Sequence, residues 1–384
     1  MKIANEMIDP LFTAVIPVYN GEEHLRETLE HITQIDYQGM ELLLIDDGSS
    51  DRSSVICRDF EARDGRIRYI RQNNQGIAAS RNRGIELARG EYICFWDQDD
   101  LVIPEGYLAL LHKMQAEHAQ MGMCSTRRII QGKTSDYESI RDGVYSGDEV
   151  KRNLLYPLLF RGYRYSFADT GDYLYGNVWK CIFRTSFVRD SHIQFKRFVN
   201  YEDDWIFVTR ALCAADKVAA VSDAGYCWRV NEGSESHRKA YIEDLQERFD
   251  ALDQYVLNYM EGSIKEKGVL AEYRKVNLCE HYVDLFRNAA NIRNTADREN
   301  DSRRTCYEHM REYLLGTDYK RQLTCRKHLR KSAYRRRIIL NSLKLGGIKV
   351  TCVISGLYDL LETRMERVQW IVRLERNHKI GEKS

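Results

Sequence analysis

The stretch Gly76–Asp100, GIAASRNRGIELARGEYICFWDQDD, joins two unlike patterns end to end. Its first part reads as a helix, with Gly90 placed to close it as a C-cap. Its second part, EYICFWDQDD, is a short apolar run that stops at Asp97, Asp99 and Asp100, and length and composition make it a buried strand. The same alternation extends upstream. RIRYIRQ (66–72) is a strand, and DRSSVICRDFEARD (51–64) is a helix with Val55 and Phe60 inward. ELLLIDDGSS (41–50) is a second buried strand that ends in acids, glycine and serines. EEHLRETLEHIT (22–33) places Leu25, Leu29 and Ile32 on one face of an amphipathic helix. FTAVIPVY (12–19) opens the series as an apolar, partly β-branched strand. Strands alternating with helices predict an α/β fold, a mostly parallel sheet flanked by helices. In such sheets ligands sit beyond the carboxyl ends of the strands. Three polar clusters gather at that edge: Asn20 with Glu22, Asp46 with Asp47, and Asp97 with Asp99 and Asp100.

Downstream, from Gly106 to Asn231, the pattern is irregular and aromatic, the remainder of the same domain. From Tyr241 helical spacing dominates: Leu245, Phe249, Leu252, Val256 and Met260, and later Val350, Val353, Leu357, Leu361, Met365, Val368 and Val372. We therefore expect a catalytic domain over 1–240 and an α-helical region over 241–384, divided at the polar stretch NEGSESHRKA.

The chain of 384 residues is 43% hydrophobic and 30% charged, enough for a sizeable core and too apolar for wholesale disorder. Four prolines disfavour a proline-rich linker. No apolar run approaches the ~20 residues of a membrane span, and MKIANEMIDP lacks the apolar stretch of a secretory signal. Ten scattered cysteines show no CxxC and no zinc spacing, which reads as reduced thiols in a cytoplasmic protein. The net charge of +1 hides an asymmetry. Residues 320–349 hold 11 Lys/Arg and no Asp/Glu, leaving 47 bases against 57 acids elsewhere. A basic segment leading into an amphipathic stretch, over 320–372, reads as attachment to an anionic membrane surface; a solvated helix face or a dimer contact is the alternative. No nucleic-acid-binding module surrounds it, so nucleic acid is not an expected partner.

Carboxylates crowded at the end of an apolar strand repel one another, and a divalent cation resolves the repulsion. Hard oxygen ligands suit Mg²⁺ or Mn²⁺, with the remaining positions taken by phosphates and water. The other reading is that these acids cap the next helix or sit in solvent.

VIPVYN, LLIDDGSSD and NQGIAASRNRGIELARGEYICFWDQDD, in this order and spacing, resemble the family-2 glycosyltransferases with the GT-A fold. The resemblance is close over 11–110 and looser through GNVWKCIFR (176–184), NYEDDWIFVTRAL (200–212) and YCWRVNEGSESH (226–237). It implies a Rossmann-like GT-A domain followed by a helical region, and an inverting, metal-dependent transfer of a sugar from a nucleotide-sugar donor, a UDP-sugar. The acceptor would be a glycan or lipid-linked oligosaccharide of cell-surface polysaccharide synthesis, met at the inner face of the cell membrane. Pro17 and Tyr19 would touch the nucleotide, with Tyr19 facing the base or else packing in the sheet. Asp47 would accept from the base ring N–H, and Asp46 caps the following turn. Arg81, with Asn82 beside it, would pair with the diphosphate or else form a surface ion pair. Asp97 and Asp99 match the two acids of the DxD motif: Asp99 the more direct metal ligand, Asp97 nearer the ribose or the metal's waters. Asp203 would be the catalytic base, with the register open by one residue to Asp204. Trp179, next to Lys180, is either an acceptor-sugar platform or core, and His237 either reaches the metal or lies in a solvated loop.

Two other functions compete. A sugar-nucleotide nucleotidyltransferase would want a glycine-rich, arginine-containing loop after the first strand, which VIPVYNGEEH does not supply. An inactive GT-A module scaffolding a membrane complex would have lost the metal acids or the base, and both are present. No GxxxxGK[ST] occurs, which disfavours ATPase chemistry.

Overall fold

A computed structural model describes residues 11–161, 163, 165, 174–199, 202–230 and 241–291, with short pieces at 308, 311, 323, 338–345, 347–348 and 351. The strands and helices follow the alternation the sequence predicts. β1 (Phe12–Val18), α1 (Leu25–Thr33), β2 (Met40–Asp46), α2 (Ser53–Arg63), β3 (Ile67–Arg71), α3 (Ile77–Leu87) and β4 (Tyr92–Phe95) form the first half. There follow β5 (Leu101–Val102), α4 (Pro104–Glu117), β6 (Met121–Ile130), β7 (Lys133–Glu138) and β8 (Gly143–Ser146). Short helical turns α5 (Asp148–Val150) and α6 (Tyr156–Leu159) precede β9 (Cys181–Arg184), α7 (Thr185–Asp190), α8 (Asp203–Ala214) and β10 (Lys217–Arg229). Two long helices, α9 (Leu245–Ser263) and α10 (Val269–Asn291), come last among these elements.

The strands form one mixed sheet in the order β3-β2-β1-β4-β9-β6-β10-β5, with β7 on β6 and β8 on β10. Pairing is parallel from β3 to β4 and between β6 and β10. β9 returns antiparallel between β4 and β6. β1 and β2 are buried along their whole length, as continuous apolar strands between two helical layers should be.

Leu25, Leu29 and Ile32 are fully enclosed, as the α1 spacing predicts. Two local expectations are corrected. Val55 is 58% exposed, because the inward stripe of α2 is Ser53, Ile56, Cys57 and Phe60, an i, i+3, i+4, i+7 set that leaves Val55 on the outer face. Gly90 does not cap α3; the helix closes at Ala88, which has φ −58° and donates its N–H to Gly84. Gly90 is instead a point of close approach: a Cβ there would stand 2.5 Å from the Thr13 backbone nitrogen, and its N–H donates to Thr13 Oγ1 at 2.9 Å.

Beyond the sheet, Phe95, Phe183, Phe195 and Phe207 form an interlocked aromatic core, with Phe195 and Phe207 stacked at 4.0 Å and Phe95 edge-on to Phe207 at 5.5 Å. Phe207 anchors α8 against the end of β4, so the first turn of α8, one helical turn earlier, reaches the carboxyl edge of the sheet.

The chain divides into two units: residues 1–161, 165–237 and 252–266, and residues 162–164, 238–251 and 267–384. In the second unit Phe249 stacks on the buried His281 at 4.0 Å, and Asn288 bonds both the N–H and the carbonyl of Ile242. The stripe Leu245, Phe249, Leu252, Val256 and Met260 is buried. Of the eleven basic residues between 320 and 349, only Lys344 falls among the described residues; the other ten, residues 352–372 and His237 lie outside them. No helix of the described residues is long and apolar enough to cross a membrane.

Candidate active site

The loops after β1 and β2 are laced together at the carboxyl edge. Asn20 adopts a left-handed φ of 44°, which asparagine tolerates better than most residues, and its Oδ1 accepts from the Ser50 N–H at 2.8 Å. The Gly21 N–H donates to Ser53 Oγ, the Glu22 N–H to Asp51, and the Arg52 N–H to Glu22. Asp46 caps its turn, accepting from the Ser49 N–H at 2.8 Å and from Tyr69 OH at 2.6 Å. Asp47 accepts from Gln72 Nε2 and from the N–H groups of Gln75 and Gly76. A carboxylate offers about four acceptor sites, so these three donors leave Asp47 room for one more. Pro17 is enclosed in β1 opposite Ile45, short of the edge where a nucleotide contact was expected. Tyr19 lies past it with 49% of its surface exposed.

Gln98, the middle residue of the DxD match, fastens Tyr19 in place. The Tyr19 N–H donates to Gln98 Oε1 at 3.0 Å, and Gln98 Nε2 donates to the Tyr19 carbonyl at 3.1 Å. A Cβ on Gly21 would stand 2.3 Å from Gln98 Oε1, so the glycine gives the amide its space.

The centre of the site is Arg81, from α3. Gly84, one turn along, lets α3 lie directly on β1, since a Cβ there would meet Val15 at 2.3 Å. The Arg81 side chain is 4% exposed and lies over the Phe195 ring at 5.2 Å. It donates to Asp97 Oδ1 at 3.0 Å, to Asp203 Oδ2 at 2.9 Å and to Asp204 Oδ1. One cation thus joins the end of β4 to the start of α8. In this arrangement its NH1 and NH2 groups are directed to carboxylates within the protein, an ion-pair role that is buried rather than at the surface.

The acids outnumber that cation. Burial, reinforced by the neighbouring Asp203 and Asp97 against the pull of Arg81, raises the Asp204 carboxyl to about 7. Burial and the adjacent Asp97 push Asp99 up to about 6, and burial with both neighbours raises Asp100 well above the ordinary range. Asp100 Oδ1 accepts from the Arg229 N–H at 2.7 Å, and the Arg229 guanidinium grips Glu27 with two bonds of 2.9 Å. Among the described residues, no other side chain hydrogen-bonds or ion-pairs with Asp99. A half-enclosed carboxylate beside other acids, whose repulsion His24 and Arg229 offset only in part, fits a divalent ion. The described residues contain no group of three or more His, Cys, Asp or Glu able to hold a metal by themselves, so such an ion would draw on phosphate and water for its other ligands.

The residues of the triplet Glu202-Asp203-Asp204 differ in their partners. Glu202 Oε1 accepts from the N–H groups of Phe198 (2.6 Å) and Val199, which commits it to the loop. Asp204 is held twice, by Arg81 and by the Val178 N–H at 3.1 Å. Among the described residues, Asp203 is held by Arg81 alone. Trp179, read as platform or core, is core: 4% exposed, stacked on Tyr226 at 4.6 Å. Lys180 is fully buried against Glu138 with contacts of 2.5 and 2.6 Å.

Sequence reading missed Gln98, Tyr226 and Glu138. Tyr226 OH accepts from the Asp97 N–H at 3.0 Å and so seats the DxD turn. A lysine in the apolar run VWKCIF signals that a buried acid must exist, but not that it lies 42 residues upstream.

Residues 13–192 match the model of a family described as glycosyl transferase family 2. The chain is 27% identical over 281 residues to the uncharacterized glycosyltransferase EpsJ of Bacillus subtilis, covering 72% of this chain and 77% of that protein. It is 27% identical over 300 residues to the glycosyltransferase GlyG of Streptococcus pneumoniae, covering 72% and 93%. Its fold is similar to the solved structure of S. aureus TarS 1–349 in complex with UDP-GlcNAc, with a TM-score of 0.61, 16% identity and 91% of each chain covered.

Proposed function

Residues 13–192 form a glycosyltransferase domain of family 2 with the GT-A fold, and from that premise we propose that the protein is an inverting, metal-dependent enzyme that moves a sugar from a UDP-sugar to a glycan or lipid-linked acceptor in cell-surface polysaccharide synthesis. The observation that carries this reading is the Arg81 clamp, which brings Asp97 and the Asp203–Asp204 pair into one buried cluster.

Tyr19, steadied by Gln98, offers an exposed ring to the base, and Asp47 has one acceptor site left for a base N–H. Pro17 acts through the backbone of β1. Asp97 and Asp99 would hold Mg²⁺ or Mn²⁺, which when bound offsets the negative charge of a leaving nucleoside diphosphate. Asp203 takes the proton from the acceptor hydroxyl, and Asp204 with Arg81 keeps it in position. Asp203 suits the base better than Asp204 because, among the described residues, its carboxylate is held by Arg81 and by no second donor, leaving lone pairs for a hydroxyl. A single displacement inverts the anomeric centre. Residues 1–240 would be the catalytic domain and 241–384 a helical region whose basic segment, 320–349, holds the enzyme to the cytoplasmic face of the membrane.

The test is release of UDP from a panel of UDP-sugars with Mn²⁺ and a crude polysaccharide acceptor. Asp203→Asn should abolish transfer while donor binding persists; normal turnover by that variant would overturn the base assignment.

A further inference from the structure

An aromatic cluster that the sequence does not announce gathers Tyr137 of β7, Tyr175 and Trp228 of β10. β7 pairs with β6 through Arg127↔Asp136 and then Thr126↔Glu138, so Tyr137 is the extra residue of a β-bulge. Bulges re-aim a side chain, and here Tyr137 stacks on Tyr175 at 4.9 Å and 25° and meets Trp228 at 5.3 Å. Arg161 lies over the Tyr175 ring at 4.5 Å and Arg128 over Tyr137 at 5.7 Å, which holds the stack rigid. All three rings are half-buried. None of their polar tips (the two hydroxyls and the indole N–H) bonds to protein among the described residues.

Two backbone paths tie this cluster to the acids. Trp228 stands two residues, about 7 Å, along β10 from Tyr226, on the same face, and Tyr226 accepts from the Asp97 N–H. Tyr175 stands three residues, at most about 11 Å of chain, from Val178, whose N–H holds Asp204. The segment between is pinned by Glu138, which accepts from the Tyr175 N–H and pairs with Lys180. In the sheet order, the expected nucleotide residues lie on β1 and β2, on one side of β4, and the platform lies on β6, β7 and β10, on the other.

We propose that Tyr137, Tyr175 and Trp228 bind a pyranose ring of the acceptor. The ring's C–H face meets the π system of the half-buried indole, and its hydroxyls meet the phenol and indole groups that bond to no protein atom among the described residues. The choice of occupant rests on the glycosyltransferase reading above.

Saturation-transfer NMR with methyl glycosides of glucose, galactose and N-acetylglucosamine tests it. Ring C–H protons of at least one glycoside should saturate from the wild-type protein and stay saturated when UDP and Mn²⁺ are added. Affinity should fall about five- to ten-fold in Trp228→Ala and in Tyr137→Ala. Trp228→Leu and Tyr137→Leu, which retain more volume, cover the case in which an alanine variant does not fold. The proposal is overturned if no glycoside saturates, if UDP displaces it, or if the folded variants bind as well as wild type. The shift in melting temperature of the wild type with UDP and Mn²⁺, measured in parallel, reports on the glycosyltransferase reading alone.

Discussion

Arg81 is the residue on which most depends, and removing it should be costly. Arg81→Met leaves Asp97, Asp203 and Asp204 crowded without their cation. Breaking a buried ion pair from one side costs about 3–5 kcal/mol, so urea unfolding at pH 7 should show a loss of that order, smaller near pH 4 where Asp204 is protonated. A loss unchanged between the two pH values would mean that lost packing, not charge, explains the effect. Gln98→Ala removes two hydrogen bonds to the Tyr19 backbone. At about 1 kcal/mol of net worth each, or less, the donor KM should rise by up to about thirty-fold, and more than kcat falls. Equal losses in both would deny Gln98 its role in seating Tyr19. At this scale the sequence named the acids that gather at the carboxyl edge but not that Arg81 ties three of them together. A motif fixes which residue types are present; which of them meet is decided by α8 docking on Phe95 through Phe207, more than a hundred residues away in the chain.

The elements were legible where burial follows a short period. FTAVIPVY and ELLLIDD became β1 and β2 because a strand covered on both faces reads as a near-continuous apolar run rather than an alternation. The antiparallel return of β9 left no local mark, since long-range pairing is chosen by what lies beside it. Val55 and Gly90 were misread because one apolar residue and one glycine each fit two explanations, and neighbours decide between them. Glycines that admit another backbone are the sharper test of packing. Gly106, in the first turn of α4, would carry a Cβ 2.2 Å from the Ala224 carbonyl, where β10 shifts register just before Tyr226. Gly106→Ala should therefore cost about 1–3 kcal/mol in thermal or urea unfolding and weaken the Tyr226 support of Asp97. A neutral result would mean that α4 and β10 slide apart freely, against the contacts described.

For the whole molecule, the site is bought with stability. The Asp99 carboxyl, raised to about 6 from 3.8, keeps its proton in the folded chain at pH values where the unfolded chain has lost it. Its effect is absent well below pH 4, grows unfavourable as pH rises from about 4 through about 6, and is then constant. His281, lowered to about 4 by burial, opposes this trend over the same window, so the informative quantity is a difference. Acids held low by ion pairs, such as Asp64 on Arg66 and Glu27 on Arg229, act below this window. Asp99→Asn should therefore melt higher than wild type at pH 7.5 and no higher at pH 4; a variant equally or less stable at pH 7.5 would contradict the raised carboxyl.

The central claim is that Asp99 serves a cation shared with a nucleoside diphosphate. Calorimetric titration of UDP into the wild type and Asp99→Asn, each with Mn²⁺ and with EDTA, tests it most directly. The account predicts binding that needs Mn²⁺ in the wild type and is lost or greatly weakened in Asp99→Asn. Equal UDP affinity with Mn²⁺ and with EDTA, or undiminished Mn²⁺-dependent binding by the variant, would contradict it.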